Sequence, residues 1–273
     1  MKPIRPAAVA GTFYTNNPAL LRKEVEAFLI PREPVSLPGM VRGLVSPHAG
    51  YLYSGATAGA GYSLIKGHSY DTVFIVSPSH REFFNAVSIF PGEAYQTPLG
   101  NVPIDTEARE HLISNCSCVI ESEAGHRTEH AVEVQLPFLQ VALGSFRFVP
   151  LVIGNQRRDL CYQLGEALAS YARGRNCLFI ASSDLSHFHP YDVAQSLDRR
   201  VIRAIEAFDE DEFMNQLELE KMEACGGGPI VTVMVAAKLL GCSQAKKIHY
   251  CNSGDVTSDK TGVVGYLSAV FSN

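Results

Sequence analysis

Three short apolar runs end in the same kind of residue set. Gly43–Ser46 leads into Pro47-His48-Ala49-Gly50, Thr72–Ser77 into Pro78-Ser79-His80, and Cys177–Ser182 into Ser183-Asp184-Leu185-Ser186-His187. Imidazole is both a metal ligand and an acid/base that titrates near neutral pH. Ligands of open α/β sheets bind outside the carboxyl ends of the strands. If the three runs are parallel neighbouring strands, His48, His80 and His187 meet at one rim. Taken singly, each is as readily a loop histidine. A fourth candidate is Cys225, in Cys225-Gly226-Gly227-Gly228-Pro229, just ahead of a helix that begins near Pro229. A helix N-terminus favours a thiolate, which predicts a lowered pKa for Cys225. The plain alternative is a small buried hydrophobe in a flexible glycine loop. Two imidazoles and one anionic ligand make a facial site with open positions that suits Fe(II), and a thiolate in the anionic slot widens the choice to zinc and copper. His187 is then a fourth ligand or a free acid/base.

The stretch Gly125–Gln135 adds further candidates. Glu129 and Glu133 are spaced i, i+4, on one face of a helix expected over Glu129–Leu143. That face is either solvated or brings Glu129 and His130 to the site, where they orient its ligands. Asp184 is placed to orient His187 or a ligand imidazole, or to cap a turn. Tyr51 and Tyr53 line the pocket or simply pack. Several patterns are missing: no GxSxG elbow supports Ser183 or Ser186 as nucleophile, no phosphate-binding glycine loop supports a nucleotide, and no HExxH supports a metalloprotease.

The elements that must position these residues are legible as an alternation. The runs Gly43–Ser46, Thr72–Ser77, Phe148–Ile153 and Cys177–Ser182 are apolar at nearly every position, as in central strands covered on both faces. Ala86–Phe90, Lys247–Cys251 and Val263–Phe271 are further strand candidates, the last an edge or closing strand. Helical spacing marks Pro18–Leu29, Ser54–Ile65, Thr106–Ile113 behind an Asp105 N-cap, Leu160–Ala172, Leu197–Phe208, Asp211–Glu220 and Pro229–Leu240. Pro137 is expected to kink or divide the helix over Glu129–Leu143. Pro229 suits the first turn of its helix and Gly241 its end. This order predicts a three-layer α/β domain, with no linker or repeat to divide residues 1–273.

The chain has 273 residues, seven Cys, nine His and a net charge of −5, and 46% of it is hydrophobic. That is ordinary globular usage, which excludes disordered and collagen-like classes. The acidic balance argues against nucleic acid as a partner. The odd number of Cys, with no CxxC pair and with Cys116 and Cys118 too close in sequence for a routine structural disulfide, reads as buried free thiols in a reducing compartment. Met1–Asn17 has no apolar core of a signal peptide, and the longest nearly apolar run, Pro229–Leu240, is far short of the ~20 residues of a membrane span. A cytoplasmic protein with no membrane partner is expected.

Seven stretches in order resemble the Memo family, whose bacterial and archaeal members are called AmmeMemoRadiSam system protein B. They are Arg5–Tyr14, Pro47–Tyr51, Pro78–His80, Glu129–Glu133, Ser182–His187, Cys225-Gly226 and Asn252–Asp255. The resemblance implies a fold like the class III extradiol dioxygenases: an α/β/α sandwich around a mixed, largely parallel sheet. Those enzymes use Fe(II) held by two His and one Glu. His48 and His80 match the metal-binding imidazoles and His187 the acid/base histidine. Cys225 stands where the dioxygenases have a carboxylate, as it does in the Memo family itself. The reading that follows is a metal-dependent redox enzyme holding one iron, copper or zinc and acting on a small anionic or phenolic substrate or peptide. A non-catalytic binding module that uses the same cleft for a phosphorylated or anionic peptide or a partner protein is the alternative, and a zinc hydrolase a weaker one. The family name also implies partner proteins of radical SAM and AMMECR type.

Overall fold

A computed structural model describes residues 3–31, 35, 37 and 39–273. Met1 and Lys2, part of the stretch read for a leader, lie outside the described residues. In chain order the elements are β1 (Ile4–Arg5), α1 (Pro18–Phe28), β2 (Val41–Ser46), α2 (Tyr51–Tyr62), β3 (Thr72–Pro78), β4 (Val87–Ile89), β5 (Ala94–Thr97), β6 (Gly100–Pro103), α3 (Thr106–Asn115), β7 (Val119–Glu121), α4 (Leu136–Leu143), β8 (Phe148–Ile153), α5 (Arg158–Ala172), β9 (Cys177–Ser182), β10 (His187–His189), α6 (Tyr191–Ala207), α7 (Glu210–Glu218), α8 (Gly227–Leu239), β11 (Gln244–Asn252), α9 (Ser253–Thr257) and β12 (Val263–Ser272).

The main sheet runs β10-β12-β2-β9-β3-β8-β4-β7, with β11 also paired to β12. Its centre is parallel: β2 pairs β9, β9 pairs β3 and β3 pairs β8 in one direction. β12 and β4 run against it on the two sides. Every residue of β3, Thr72–Pro78, is buried. Successive residues of a strand point to opposite faces, and the core divides accordingly. Val45, Phe74, Val76, Phe179 and Ala181 join one apolar cluster with residues of α3, α5, α6, α7 and α8. Leu44, Val73, Ile75, Leu178 and Ile180 join a second cluster with residues of α1, α2 and α4. Helices therefore cover both faces of a mixed sheet, and each fully buried large side chain contributes about 1.5–3 kcal/mol of transfer free energy.

Several expectations shift. β12 is not an edge: it lies between β2 and the β10 and β11 strands, because its own Val263–Ser272 run is buried at nearly every position. The helix expected over Glu129–Leu143 does not start at Glu129. Residues 133–135 form a 3-10 turn and α4 begins at Leu136, which puts Pro137 in a first turn where no backbone N–H is needed, so it neither kinks nor divides the helix. Glu129 and Glu133 thus share no regular helical face, and both are buried rather than solvated. The helix expected from Ser54 starts at Tyr51, and the one expected from Leu197 starts at Tyr191. Asp105 caps α3 as expected, accepting from the Ala108 N–H at 3.1 Å. Gly241 follows α8 with φ +86, a left-handed turn that glycine adopts without a Cβ clash. Short strands β1, β5 and β6 form a small separate sheet whose brief, mixed sequences carry no periodicity to read.

Candidate metal centre

The parallel order β2-β9-β3 brings three carboxyl ends together, and the polar residues that follow them converge. One ligand atom each from His48, His80 and Cys225 lies within 4.8 Å of the other two. Cys225 arrives from the far side of the chain because the start of α8 closes on the end of β9. A Cβ on Gly226 would stand 2.2 Å from the Ser182 carbonyl oxygen, so only glycine allows that approach.

The hydrogen bonds settle which imidazole nitrogen faces the centre. The Ser182 hydroxyl lies 2.7 Å from the Ala131 carbonyl, which can only accept, so the hydroxyl proton goes there. Gln135 Nε2 donates to Ser182 Oγ at 2.8 Å. His48 Nδ1, 2.9 Å from Ser182 Oγ, must therefore donate, leaving a bare lone pair on Nε2. That Nε2 lies 3.2 Å from Cys225 Sγ. Burial, then the nearby His130 and His80, hold His48 well below the usual imidazole range, so it is neutral. His80 repeats the arrangement with a charged partner. Its Nδ1 is 3.0 Å from Glu129 Oε1 and its backbone N–H donates to Glu129 Oε2 at 2.7 Å. Burial works against the Glu129 charge, but hydrogen bonds from His130 and His80 outweigh it and hold the carboxyl well below the ordinary range. Both imidazoles thus spend Nδ1 on the protein and keep Nε2 for the centre, the arrangement that fixes metal-binding histidines.

Glu129 also accepts from the His130 and Ala131 N–H groups at 2.9 and 3.0 Å. His80, Glu129 and His130 bring ligand atoms within 4.8 Å of one another too. With the carboxylate saturated by N–H donors, that trio is a hydrogen-bonded support and not a second ligand set. His130 stacks on His80 with ring centroids 4.9 Å apart and meets His48 edge-on at 5.3 Å. Glu129 and His130 therefore meet His80 and His48 from a turn, not from a helix start.

Asp184 ties His48 to Cys225 through the backbone: its Oδ1 accepts the His48 N–H at 2.8 Å, while its own N–H donates to Cys225 Sγ at 3.2 Å. Burial pushes its carboxyl up to about 6. The expectation for Cys225 reverses. Burial, reinforced by the Asp184 carboxylate, pushes its thiol up rather than down. The Asp184 and Gly226 N–H groups and the Ser183 hydroxyl still pull it down, but burial outweighs them, and the next helix donors are taken, the Gly227 N–H by the Ala224 carbonyl at 3.0 Å and the Gly228 N–H by Gln156 Oε1 at 2.8 Å.

His187 opens β10 and interacts electrostatically with His48 and Asp184 without joining the ligand trio. Glu223 fixes it, accepting the His187 N–H at 2.9 Å and pairing with His189 Nε2 at 2.8 Å. Tyr51 packs: it is 3% exposed and its hydroxyl donates to the Val134 carbonyl at 2.6 Å. Tyr53 is 37% exposed.

Three supporting residues were not singled out from the sequence, Ser182, Gln135 and Arg5, and Glu133 was read there only for its spacing from Glu129. Arg5 pairs with Glu133 at 2.6 Å with both side chains buried, and it also donates to the carbonyls of His126 and Glu129. Glu133 accepts further from the Ala8 and Val9 N–H groups and from Tyr14 Oη, at 2.7, 3.0 and 2.6 Å. The N-terminal segment is thereby tied to the turn that presents Glu129. Arg5 and Ser182 stand inside stretches that resemble a family; Gln135 has no local signal.

A family model described as Memo-like protein matches residues 5–270. A MEMO1 family protein of Methanothermobacter thermautotrophicus is 36% identical, with 96% of this chain and 98% of the relative covered. One from Methanopyrus kandleri is 39% identical over 98% of each. The crystal structure of an uncharacterized protein from Escherichia coli K12 shares the fold, with a TM-score of 0.59 over 85% of this chain and 99% of that one at 16% identity. With the match running nearly from end to end, the chain belongs to the Memo family.

Proposed function

We propose that this chain holds one transition-metal ion through His48, His80 and Cys225 and is a dioxygenase-like redox enzyme for a small phenolic or anionic substrate. The observation that carries the reading is the trio of ligand atoms within 4.8 Å, two of them imidazoles with Nδ1 committed to Ser182 and Glu129. Two imidazoles and a thiolate suit iron, copper or zinc, with iron put first by the likeness to the class III extradiol dioxygenases. Bound there, a redox-active metal supplies a Lewis-acidic centre with open positions for substrate. Around it, Asp184 holds the His48 backbone and Glu223 holds His187 at the rim, where its imidazole moves a proton to or from the substrate. Cysteines that form no disulfide among the described residues support a reducing compartment such as the cytoplasm. The name of the bacterial and archaeal members points to radical SAM and AMMECR-type proteins as partners.

A purely anion-binding cleft fits less well. His48 is held neutral, and the first N–H groups of α8 already have partners. Elemental analysis of anaerobically purified protein tests the proposal: about one metal per chain is expected, and little in Cys225→Ser or in a His48→Ala/His80→Ala double variant. Full occupancy in the double variant overturns it. Metal-dependent oxygen uptake with a catechol supports the redox reading. Ester cleavage that persists without oxygen points to the hydrolase, and partner capture that survives chelation points to the binding module.

A further inference from the structure

Cys116 ends α3 and Cys118 precedes β7, the outermost strand on its side, with β4 and β8 between it and β3. Both sulfurs turn inward from the same tight connection and stand 3.2 Å apart. They are 5% and 7% exposed, beneath the exposed Asn115 and Ser117. A disulfide needs ~2.05 Å between sulfurs, so closure asks for a shift of about 1 Å rather than a rearrangement. We propose that Cys116 and Cys118 form a hydroperoxide-responsive dithiol, a modification site separate from the candidate metal centre, that closes reversibly to an intrachain disulfide.

In the first step the Cys116 thiolate attacks one peroxide oxygen. The O–O bond breaks, Cys116 becomes a sulfenic acid, and hydroxide leaves and takes up a proton as water. In the second, Cys118 Sγ attacks Cys116 Sγ, the S–O bond breaks and a second water leaves. Two thiols lose two electrons and two protons, and one hydroperoxide is reduced. A pair of external thiols reverses the change by exchange.

The two sulfurs have unequal roles. Either sulfur can donate to the other, but the Cys118 and Val119 N–H groups both pull the Cys116 thiol down against burial, whereas Cys118 has only its own N–H to do so. Cys116 is thus the attacking thiolate and Cys118 the resolving thiol. The other buried thiols differ: burial pushes Cys161 and Cys177 up to about 12 and Cys242 up to about 11. A small hydroperoxide suits the few exposed atoms of the pair better than a bulky oxidant does.

The test uses the full chain, reduced and stripped of metal, with one equivalent of hydrogen peroxide. The tryptic peptide Glu110–Arg127 carries both cysteines and no others. We expect two of the seven thiols to be lost, this peptide to become lighter by about two mass units, and dithiothreitol to restore it. In Cys118→Ser, a sulfenic acid on Cys116 should be trapped by dimedone. An unchanged peptide while other thiols oxidise overturns the proposal, as does a wild type that keeps all seven thiols. A Cys118→Ser variant in which the adduct forms elsewhere overturns the assignment of Cys116.

Discussion

His48 and His80 reach the same centre from β2 and β3, with β9 between them, yet they are held differently. His48 is 2% exposed and donates to a neutral hydroxyl, whose other partners are an amide and a carbonyl. The His80 side chain is 29% exposed and donates to a carboxylate, Glu129. Burial alone keeps an imidazole neutral, so the inner ligand needs only a fixed tautomer. A ring open to water on one side gains more from a charge-assisted bond, which holds it in place. The carboxylate must itself be anchored, and Arg5 and Glu133 do this by pinning the turn from beneath. The inner half of the centre is held by the sheet, and the outer half by a buried ion pair.

The largest effect should come from breaking that ion pair. Arg5→Met leaves the Glu133 charge buried without its cation and should cost about 3–5 kcal/mol in denaturant unfolding. A loss under 1 kcal/mol would mean the outer half does not depend on it. Glu129→Gln should weaken metal binding about 10–100-fold in competition with a chelator, chiefly through His80. Ser182→Ala unties the inner half instead and should cost about 1–3 kcal/mol, because buried Gln135 Nε2 and the Ala131 carbonyl each lose a partner. If Glu129→Gln and Ser182→Ala change affinity and stability in the same proportion, the contrast between the halves fails.

The metal-free chain should also lose stability in acid. Burial, then Arg5, lowers His126 from 6.5 to about 3, and His48 is lowered by burial as well. The unfolded chain takes up these protons near pH 6.5 and the folded chain does not, so stability is complete above 6.5 and falls as pH drops from there towards 3. Asp184, raised from 3.8 to about 6, contributes the opposite slope between those values. Melting temperature against pH, with His126→Gln flattening the fall, checks the sign. The smallest effect is expected at the exposed Tyr53 ring: Tyr53→Ala should change stability by no more than about 0.5 kcal/mol.

How far the sequence could be read follows from what each feature depends on. The strands β2, β3, β8 and β9 are legible because burial on both faces demands apolar residues at every step, and the three histidines are legible because each follows such a run. Glu129 and His130 stand out by type, but their presentation from a turn depends on Arg5, 124 positions away from Glu129. Local propensity could not show it. Cys225 stands out by its glycines, yet its thiol is pushed up rather than down, because packing buries it beside the Asp184 carboxylate and this outweighs the N–H groups of Asp184 and Gly226.

The sequence by itself determined the alternation of strands and helices, the candidate ligands and the family, since these rest on residue type and local order. The tertiary structure decided the strand order that makes the ligands converge, the tautomers of His48 and His80, and the closeness of Cys116 and Cys118. Each of these depends on distances between atoms that only packing brings within reach, and hydrogen bonds and thiol chemistry act over a few ångströms, whatever the separation along the chain.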